Sequence, residues 1–477
     1  MTGDARRPGR QANASEILAV LRRDHPQPLR EQLEVTLREA IRTGRLPANH
    51  RLPSSRTLAA DLGISRGVVT EAYTQLAAEG YLATRARSSV TVTSVIASTA
   101  APVSPVRLSP PPLYDLRPGV PELDAFPTRE WIRSLNEAVA ELPRGHLSYG
   151  DAQGVPELRA ELAAYLGRVR GLQVAPERVV VVTGFAQGLG LLCGVLRSTG
   201  TDTLAVEDPS SPRQRAFVAR SGLRIHGLEV DEAGARPDAL GGAASPGACL
   251  LTPAHQFPTG VVLAPERRGA FLAWARDTGG LLIEDDYDAE FRYDRSPVGA
   301  LQGLAPESVV YAGSVSKTLA PGLRLGWLVV PERFVDALAA AKHDADLGGP
   351  VLEQLAFARL LRSGRFERHL RRCRDIYRER RDALVGALSE HAPCWSVSGV
   401  AAGLHLVVTL PAGSDDVALC SRAAVRRVAA APLSPYGLGR APSGLVLGYG
   451  RIHAEATDQA IRRLVDAELA PGARRHR

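Results

Sequence analysis

The 477-residue sequence predicts a two-part α/β chain. A small module of three helices and a hairpin comes first, and a long body of alternating strands and helices follows. Helical periodicity runs from Pro28 to Glu79 and is broken by turn residues. A Pro-, Ser- and Ala-rich stretch then separates Ser94 from about Leu113. Beyond it, short apolar runs alternate with amphipathic segments, the pattern of helices packed on a largely parallel sheet. A chain this long is expected to build more than one core.

The formal net charge is +7, and residues 1–95 hold 14 Arg against 9 Asp or Glu, so +5 of it lies in a fifth of the chain. A basic end module beside a near-neutral body points to a polyanion partner. No apolar run approaches the roughly 18 residues of a membrane span, and the first 25 residues lack the apolar centre of a signal peptide. The five cysteines (Cys193, Cys249, Cys373, Cys394 and Cys420) show no C-x-x-C spacing. That spacing argues against a zinc site or a disulfide frame, and a cytoplasmic protein without metal is expected.

In the first module, Pro28–Arg42 sets Leu29, Leu33, Leu37 and Ile41 four apart, an amphipathic helix. After the turn-rich G-R-L-P-A-N-H-R-L-P, Ser54 or Ser55 caps a second helix that Gly63 ends, and Ser65 caps a third that Gly80 ends. Two helices joined by the tight Leu62-Gly63-Ile64 turn are what a helix-turn-helix requires. The third helix buries Val69, Ala72, Tyr73 and Leu76 and turns Ser65, Arg66 and Thr70 outward, as a recognition helix does. The following Y-L-A-T-R-A-R-S-S-V-T-V-T alternates as a hairpin with Arg85 and Arg87 near its tip, a phosphate-contacting wing. Generic three-helix packing accounts for the apolar positions equally well. The Pro-rich segment after it reads as a partly extended tether.

In the body, R-V-V-V-V-T-G-F-A-Q-G-L-G-L-L is a buried strand, a glycine turn and a helix, whose free amides near Ala186 and Gln187 suit a phosphate. Taken singly, such a segment is usually only a turn. The strand of G-L-L-I-E-D-D-Y-D-A-E-F-R-Y ends in acids that ordinarily cap helices or stay solvated. Lys317 gives them another meaning. Only Lys317 and Lys342 are lysines among 58 basic residues, and a guanidinium cannot form the Schiff base that a lysine can. Lys342, after an Ala-rich helix, is expected on the surface. A pyridoxal phosphate site needs a Schiff-base lysine, a carboxylate for the pyridine nitrogen, a phenol and a phosphate cup. Asp285 or Asp286, Tyr287, Lys317, Arg324 and the Gly184–Gly188 turn provide these in order.

The segment G-R-L-x(5)-R-L-P-S-S-R-x-L-A-x-D-L-G-I-S-R-x-V-V-x-x-A-Y resembles the GntR winged-helix family. The resemblance implies duplex-DNA contacts from Arg56, Ser65, Arg66, Gly67 and Thr70, with Arg85 and Arg87 in the wing. Thr70 stands where many relatives carry a basic residue. The body resembles fold-type I aminotransferases over about residues 116–470, and the whole chain resembles the MocR/GabR subfamily that fuses the two parts. S-Y-G-D-A-Q-G, T-P-A-H-Q-F-P-T-G, E-D-D-Y-D-A-E-F-R-Y and S-V-S-K-T-L-A-P-G-L-R-L-G-W carry the match. By resemblance, Lys317 holds pyridoxal 5'-phosphate as the internal aldimine, Asp285 pairs with the pyridine nitrogen, Tyr287 bonds the 3-hydroxyl and Arg324 helps bind phosphate.

Departures from the pattern are expected to matter. Phe257 replaces the Asn that bonds the ring hydroxyl in aminotransferases, although the regulators share that change. Ser211 replaces an aromatic, and Val446 stands where the arginine for a substrate α-carboxylate belongs. Arg440 is the substitute upstream, and Arg213 matches a carboxylate-binding arginine of the GABA-responsive members. The long C-terminal helix carries Phe366, Leu370, Cys373 and Tyr377 along one stripe, and its Arg run reads as a solvated face.

The expected domains are a winged helix-turn-helix at 26–93, a linker at 94–114 and an aminotransferase-like domain at 115–470 with a large, mainly parallel sheet and a small C-terminal α/β subdomain. The implied protein is a homodimeric transcriptional regulator that reads a double-stranded DNA operator and senses an amino compound or pyridoxal phosphate, with little or no sustained transaminase turnover. The alternative is an aminotransferase with an accessory DNA module.

Overall fold

Leu33, Leu37 and Ile41 are buried along one face of α1 (Leu29–Arg42), as their four-residue spacing requires. They pack with Val69, Ala72, Tyr73 and Leu76 of a later helix. β1 (Arg51–Leu52) leads to α2 (Ser55–Leu62), where the Ser54 Oγ accepts the Thr57 N–H at 3.1 Å. α3 (Arg66–Ala78) is capped in the same way by Ser65, which accepts the Val68 N–H at 3.4 Å. β2 (Leu82–Arg85) and β3 (Ser89–Val92) form the hairpin, and β1 joins it in the antiparallel order β1-β3-β2. Among the described residues, three helices and a three-stranded sheet lie in the first of two compact units, Met1–Ser109 and Pro110–Arg477.

The computed structural model describes residues 21–85, 89–93, 111–241, 245–293, 298–439 and 442–469. Most of the expected linker, together with Arg87 and Arg440, lies outside them. The end of that linker is already part of the second unit. The Leu113 and Tyr114 amides both donate to the Arg427 carbonyl, at 2.8 and 3.1 Å, so that β4 (Tyr114–Asp115) pairs with a strand more than 300 residues away.

α4 (Thr128–Ala140) and α5 (Pro156–Arg170) precede an eight-stranded sheet. Its strands and covering helices are, in chain order, β5 (Val179–Val182), α6 (Phe185–Ser198), β6 (Thr203–Asp208), α7 (Pro212–Arg220), β7 (Arg224–Asp231), β8 (Gly234–Ala235), β9 (Ala248–Leu251), α8 (Pro265–Thr278), β10 (Leu281–Asp286), β11 (Val309–Ser314), β12 (Gly326–Val329) and α9 (Val335–Asp346). The order across the sheet is β5-β12-β11-β10-β9-β6-β7-β8, with β12 and β8 antiparallel to their neighbours. β5, β9 and β10 are buried along their whole length. An all-apolar or acid-tipped run, without alternation, is what helices on both sheet faces demand.

α10 (Val351–Arg362) and the 27-residue α11 (Arg365–His391) lead to the small subdomain. There β13 (Ser396–Ser398), β14 (His405–Thr409), α12 (Asp416–Val425), β15 (Val428–Ala429), β16 (Ala431–Pro432), β17 (Gly444–Gly448) and α13 (Ala454–Leu469) form a second α/β layer. β15 is the partner of β4, and the others order as β13-β14-β17-β16. Phe366, Leu370, Cys373 and Tyr377 are buried on one stripe of α11, as their spacing predicts.

Candidate functional site

Ligand sites in open α/β sheets form at the carboxyl ends of the strands. Here those ends open on a cavity of about 400 Å³. Lys317, Asp285, Tyr287, Arg324, Ala186 and Arg213 all line it, although they come from five separate segments. Lys317 follows the end of β11, and its Nζ donates to the Gly119 carbonyl. Burial pulls its pKa below the usual lysine value, and the nearby Asp288 and Asp285 only partly oppose this. A lysine held so gives up its proton readily, as an amine nucleophile needs.

Strand alternation decides between the two candidate carboxylates. Asp286 is committed to the core: its Oδ2 accepts from Arg170 Nε and from the Tyr311 hydroxyl, each at 2.7 Å. Asp285 faces the cavity. Burial, and then the charge of Asp286, push its pKa up to about 7, against the Gln214 side chain and Lys317. The Gln214 Nε2 is 3.4 Å away. A buried carboxylate without a cation is suited to a protonated ring nitrogen. The acids at the end of β10 and just beyond it are not solvated, since Glu284, Asp285, Asp286 and Asp288 are all buried.

The end of the cavity at Arg324 is built on Gly184, at φ +88°. A Cβ there would sit 2.9 Å from Arg324 Nη2, so only glycine lets the guanidinium lie across the turn and donate to the Thr183 carbonyl. Gln187 does not serve as expected. Its N–H already donates to the Gly184 carbonyl at 3.1 Å. Its side chain turns away, accepting the Thr183 N–H at 2.8 Å and donating to Asp346 at 2.7 Å. Gln187 thus braces the turn from behind, and the amides left for an anion at the start of α6 are those of Phe185 and Ala186. Lys342 also departs from expectation. It is 1% exposed, and its Nζ donates to Asp346 Oδ1 at 2.8 Å, behind the same turn.

Arg213 is exposed on the first turn of α7, and Ser211 caps that helix by accepting the Gln214 N–H at 3.4 Å. Arg215 is buried there and donates to the carbonyls of Ser210 (2.5 Å), Pro435 (3.1 Å), Gly437 (3.3 Å) and Tyr436. Phe257 packs edge-on against Tyr287, His405 and Tyr436, with centroids 6.0, 5.1 and 5.6 Å apart. Val446 is fully buried with Val407 and Leu433 and does not line the cavity.

His255, Asp288 and His405 went unrecognised in the sequence. They form a buried group in which the His255 Nδ1 is 3.0 Å from Asp288 and 3.1 Å from the Tyr287 hydroxyl. The His405 Nε2 lies 3.0 Å from the Pro258 carbonyl. Burial first, and then His255, push the His405 pKa down to about 4. Their only signal was a His and an Asp standing inside segments quoted for other residues.

In the first unit, Arg56, Ser65, Arg66, Gly67 and Thr70 are exposed together along α2 and the start of α3. The Arg66 Nε is 3.4 Å from Ser55 Oγ, and the Thr70 hydroxyl donates back to the Arg66 carbonyl at 2.9 Å. The Arg85 side chain lies outside the described residues, as Arg87 does.

The gntR family of bacterial regulatory proteins matches residues 29–92, and the aminotransferase class I and II family matches residues 113–467. The pyridoxine biosynthesis transcriptional regulator PdxR of Corynebacterium glutamicum is 35% identical over 451 residues, covering 93% of this chain and 96% of its own. The chain belongs to the MocR/PdxR-type regulators of the gntR family. A probable rhizopine catabolism regulator, MocR of Rhizobium meliloti, is 32% identical over 482 residues, 95% of this chain and 96% of its own. Among solved structures, an archaeal alanine:glyoxylate aminotransferase superposes with a TM-score of 0.69 at 27% identity, covering 75% of this chain and 90% of that one. A MocR-type regulator therefore combines a DNA-binding module with a fold whose family depends on pyridoxal phosphate. No helix among the described residues is long and apolar enough to cross a membrane.

Proposed function

We propose that this MocR-type regulator holds pyridoxal 5'-phosphate on Lys317, and that occupancy of the cavity controls binding of its winged helices to a double-stranded operator. The observation that carries this is that one cavity is lined by a half-buried lysine of lowered pKa and a buried carboxylate of raised pKa that makes no salt bridge with a described residue. When bound, the cofactor would supply an aldehyde reactive toward primary amines, on a ring that withdraws electrons.

The residues divide the rest. Lys317, whose amine now donates to the Gly119 carbonyl, would hold the cofactor. Asp285 keeps a proton on the ring nitrogen, and Tyr287 meets the ring oxygen. Arg324 and the amides of Phe185 and Ala186 receive the phosphate. Arg213, exposed at the rim, attracts an anionic group on an incoming amino compound. The apolar burial of Val446 supports sensing over transamination of α-amino acids.

The signal is pyridoxal phosphate itself or an amine that displaces Lys317. The name of the Corynebacterium relative, a regulator of pyridoxine biosynthesis, supports the first. The regulator acts in the cytoplasm as a homodimer. Ile132 and Val139, seven apart on α4, and the following Leu147 and Tyr149 are large side chains left in water, and they support self-association. Arg56, Ser65, Arg66, Gly67 and Thr70, with Arg85 and Arg87, contact the DNA. Arg440 remains a second candidate for a ligand anion.

The test is operator binding by the cofactor-free protein, the pyridoxal phosphate-loaded protein, and the loaded protein with a panel of amines, read beside its visible spectrum. A ligand that changes both is the effector. Sustained amino transfer to a keto acid at enzyme-like rates overturns the sensor reading.

A further inference from the structure

Two groups compete for one nitrogen beside the cavity. The His255 Nδ1 lies 3.0 and 3.2 Å from the two oxygens of Asp288, and 3.1 Å from the Tyr287 hydroxyl. His255 and Asp288 are 3% and 1% exposed. Their close packing depends on Gly403, at φ +70°, where a Cβ would stand 2.2 Å from His255 Cε1 and 2.4 Å from Asp288 Oδ2.

A neutral imidazole has one N–H, and its position decides what Tyr287 can do. With the proton on Nε2, the Nδ1 lone pair would face a carboxylate. The Nε2–H would then be a buried donor with no partner, because the His255 Nε2 is buried and unbonded. An imidazolium strands the same donor. With the proton on Nδ1, the carboxylate receives a charge-assisted hydrogen bond, and the unbonded Nε2 is only an acceptor.

We infer that Asp288 locks His255 with its proton on Nδ1, and that this pair positions Tyr287 so that its oxygen accepts from His255 and its own proton points to a ligand in the cavity. The inference rests on the cavity being the ligand site. It gives the pair a purpose that fits the chain: Phe257 brings no polar group to that wall, so the donor must come from Tyr287. Other ionisable groups around the pair include His405, Lys317, Glu290, Tyr293 and Tyr449, and Asp285 and Glu207 lie near Tyr287. His405 adds no competing donor, because its Nε2–H is spent on the Pro258 carbonyl at 3.0 Å.

Nuclear magnetic resonance of the full chain, cofactor-free and labelled with ¹⁵N-histidine, reads the tautomer at neutral pH. His255→Gln identifies the resonance. The expected wild-type result is a protonated Nδ1 and a bare Nε2, and Asp288→Asn reverses them, because an amide can donate to Nδ1. A wild-type Nε2–H form or an imidazolium overturns the inference. In the loaded protein, Asp288→Asn weakens pyridoxal phosphate binding about tenfold, the scale of one hydrogen bond. Tyr287→Phe does the same, and the double variant is no weaker than Tyr287→Phe alone. Additive losses overturn the inference, because they mean that the pair acts without Tyr287. A wild type that takes up no pyridoxal phosphate defeats the proposed function instead, and the tautomer measurement still decides on the pair.

Discussion

The chain's two lysines are both withdrawn from water, yet their surroundings differ. Lys342 lies inside α9 and reaches Asp346, one helical turn on, at 2.8 and 2.9 Å. Lys317 sits in a loop at the end of β11, where among the described residues its Nζ hydrogen-bonds to a backbone carbonyl alone. Lys342 is fully buried and Lys317 only half-buried, so depth of burial does not mark the reactive one. A carboxylate at contact distance makes the first a strut, whereas the second has no such contact among the described residues, and burial lowers its pKa against the more distant Asp288 and Asp285.

The sharpest way to break this contrast is Lys317→Ala. Treatment with pyridoxal phosphate and borohydride adds one phosphopyridoxyl group to the peptide that holds Lys317 in the wild type and none to the same peptide of the variant. The melting temperature stays level or rises, since an unpaired buried amine is lost. A labelled variant would mean that the wrong lysine has been singled out.

Lys342→Ala reverses the outcome. Covalent capture survives, and urea unfolding shows a loss of about 2–3 kcal/mol. This is somewhat less than the ~3–5 kcal/mol for breaking a fully buried pair, because Asp346 remains 23% exposed and can be hydrated. A loss below about 0.5 kcal/mol would put Lys342 among surface pairs.

Asp285 sharpens the contrast through pH. In the cofactor-free protein its pKa is raised from 3.8 to about 7. The unfolded chain gives up that proton first, so its stabilising share is full below about pH 4 and is lost as pH rises to about 7. Each unit of difference is worth ~1.4 kcal/mol at most. Asp285→Asn removes this share, and its urea midpoint falls less than that of wild type between pH 5 and pH 8. Glu207, Glu284 and Glu290, raised in the same direction to about 7 by burial, keep part of the slope. An unchanged slope would show Asp285 ionised already.

The smallest effect belongs to the exposed Arg56. If it meets a phosphate, Arg56→Ala weakens operator binding evenly across sequences and lowers the logarithmic salt slope by about 1. A change in base preference without a change in slope would make it a base reader.

The two units were not equally legible in the sequence. In the winged module, Val69, Ala72, Tyr73 and Leu76 are buried and Ser65 caps, because local periodicity and capping chemistry govern a three-helix unit. In the large unit, Lys317, Asp285 and Arg324 each lie at or beside a strand terminus, and those termini converge on the cavity. What local pattern cannot carry is the direction of a side chain whose partner lies far along the chain. Gln187 meets Asp346 159 residues on, and His255 meets Asp288 33 residues on, so neither role was visible. Lys342 had a local signal that was passed over, the Asp four residues later on the same helix face.

Arg215 has a mechanical consequence. A guanidinium held on the carbonyls of Ser210, Pro435, Tyr436 and Gly437 fastens the entry to the small subdomain's last strand onto the base of α7. A swing of that subdomain against the sheet has to use this rivet as its axle or shear several hydrogen bonds at once. Arg213, two residues away, stands beside that axle, where leverage would be least.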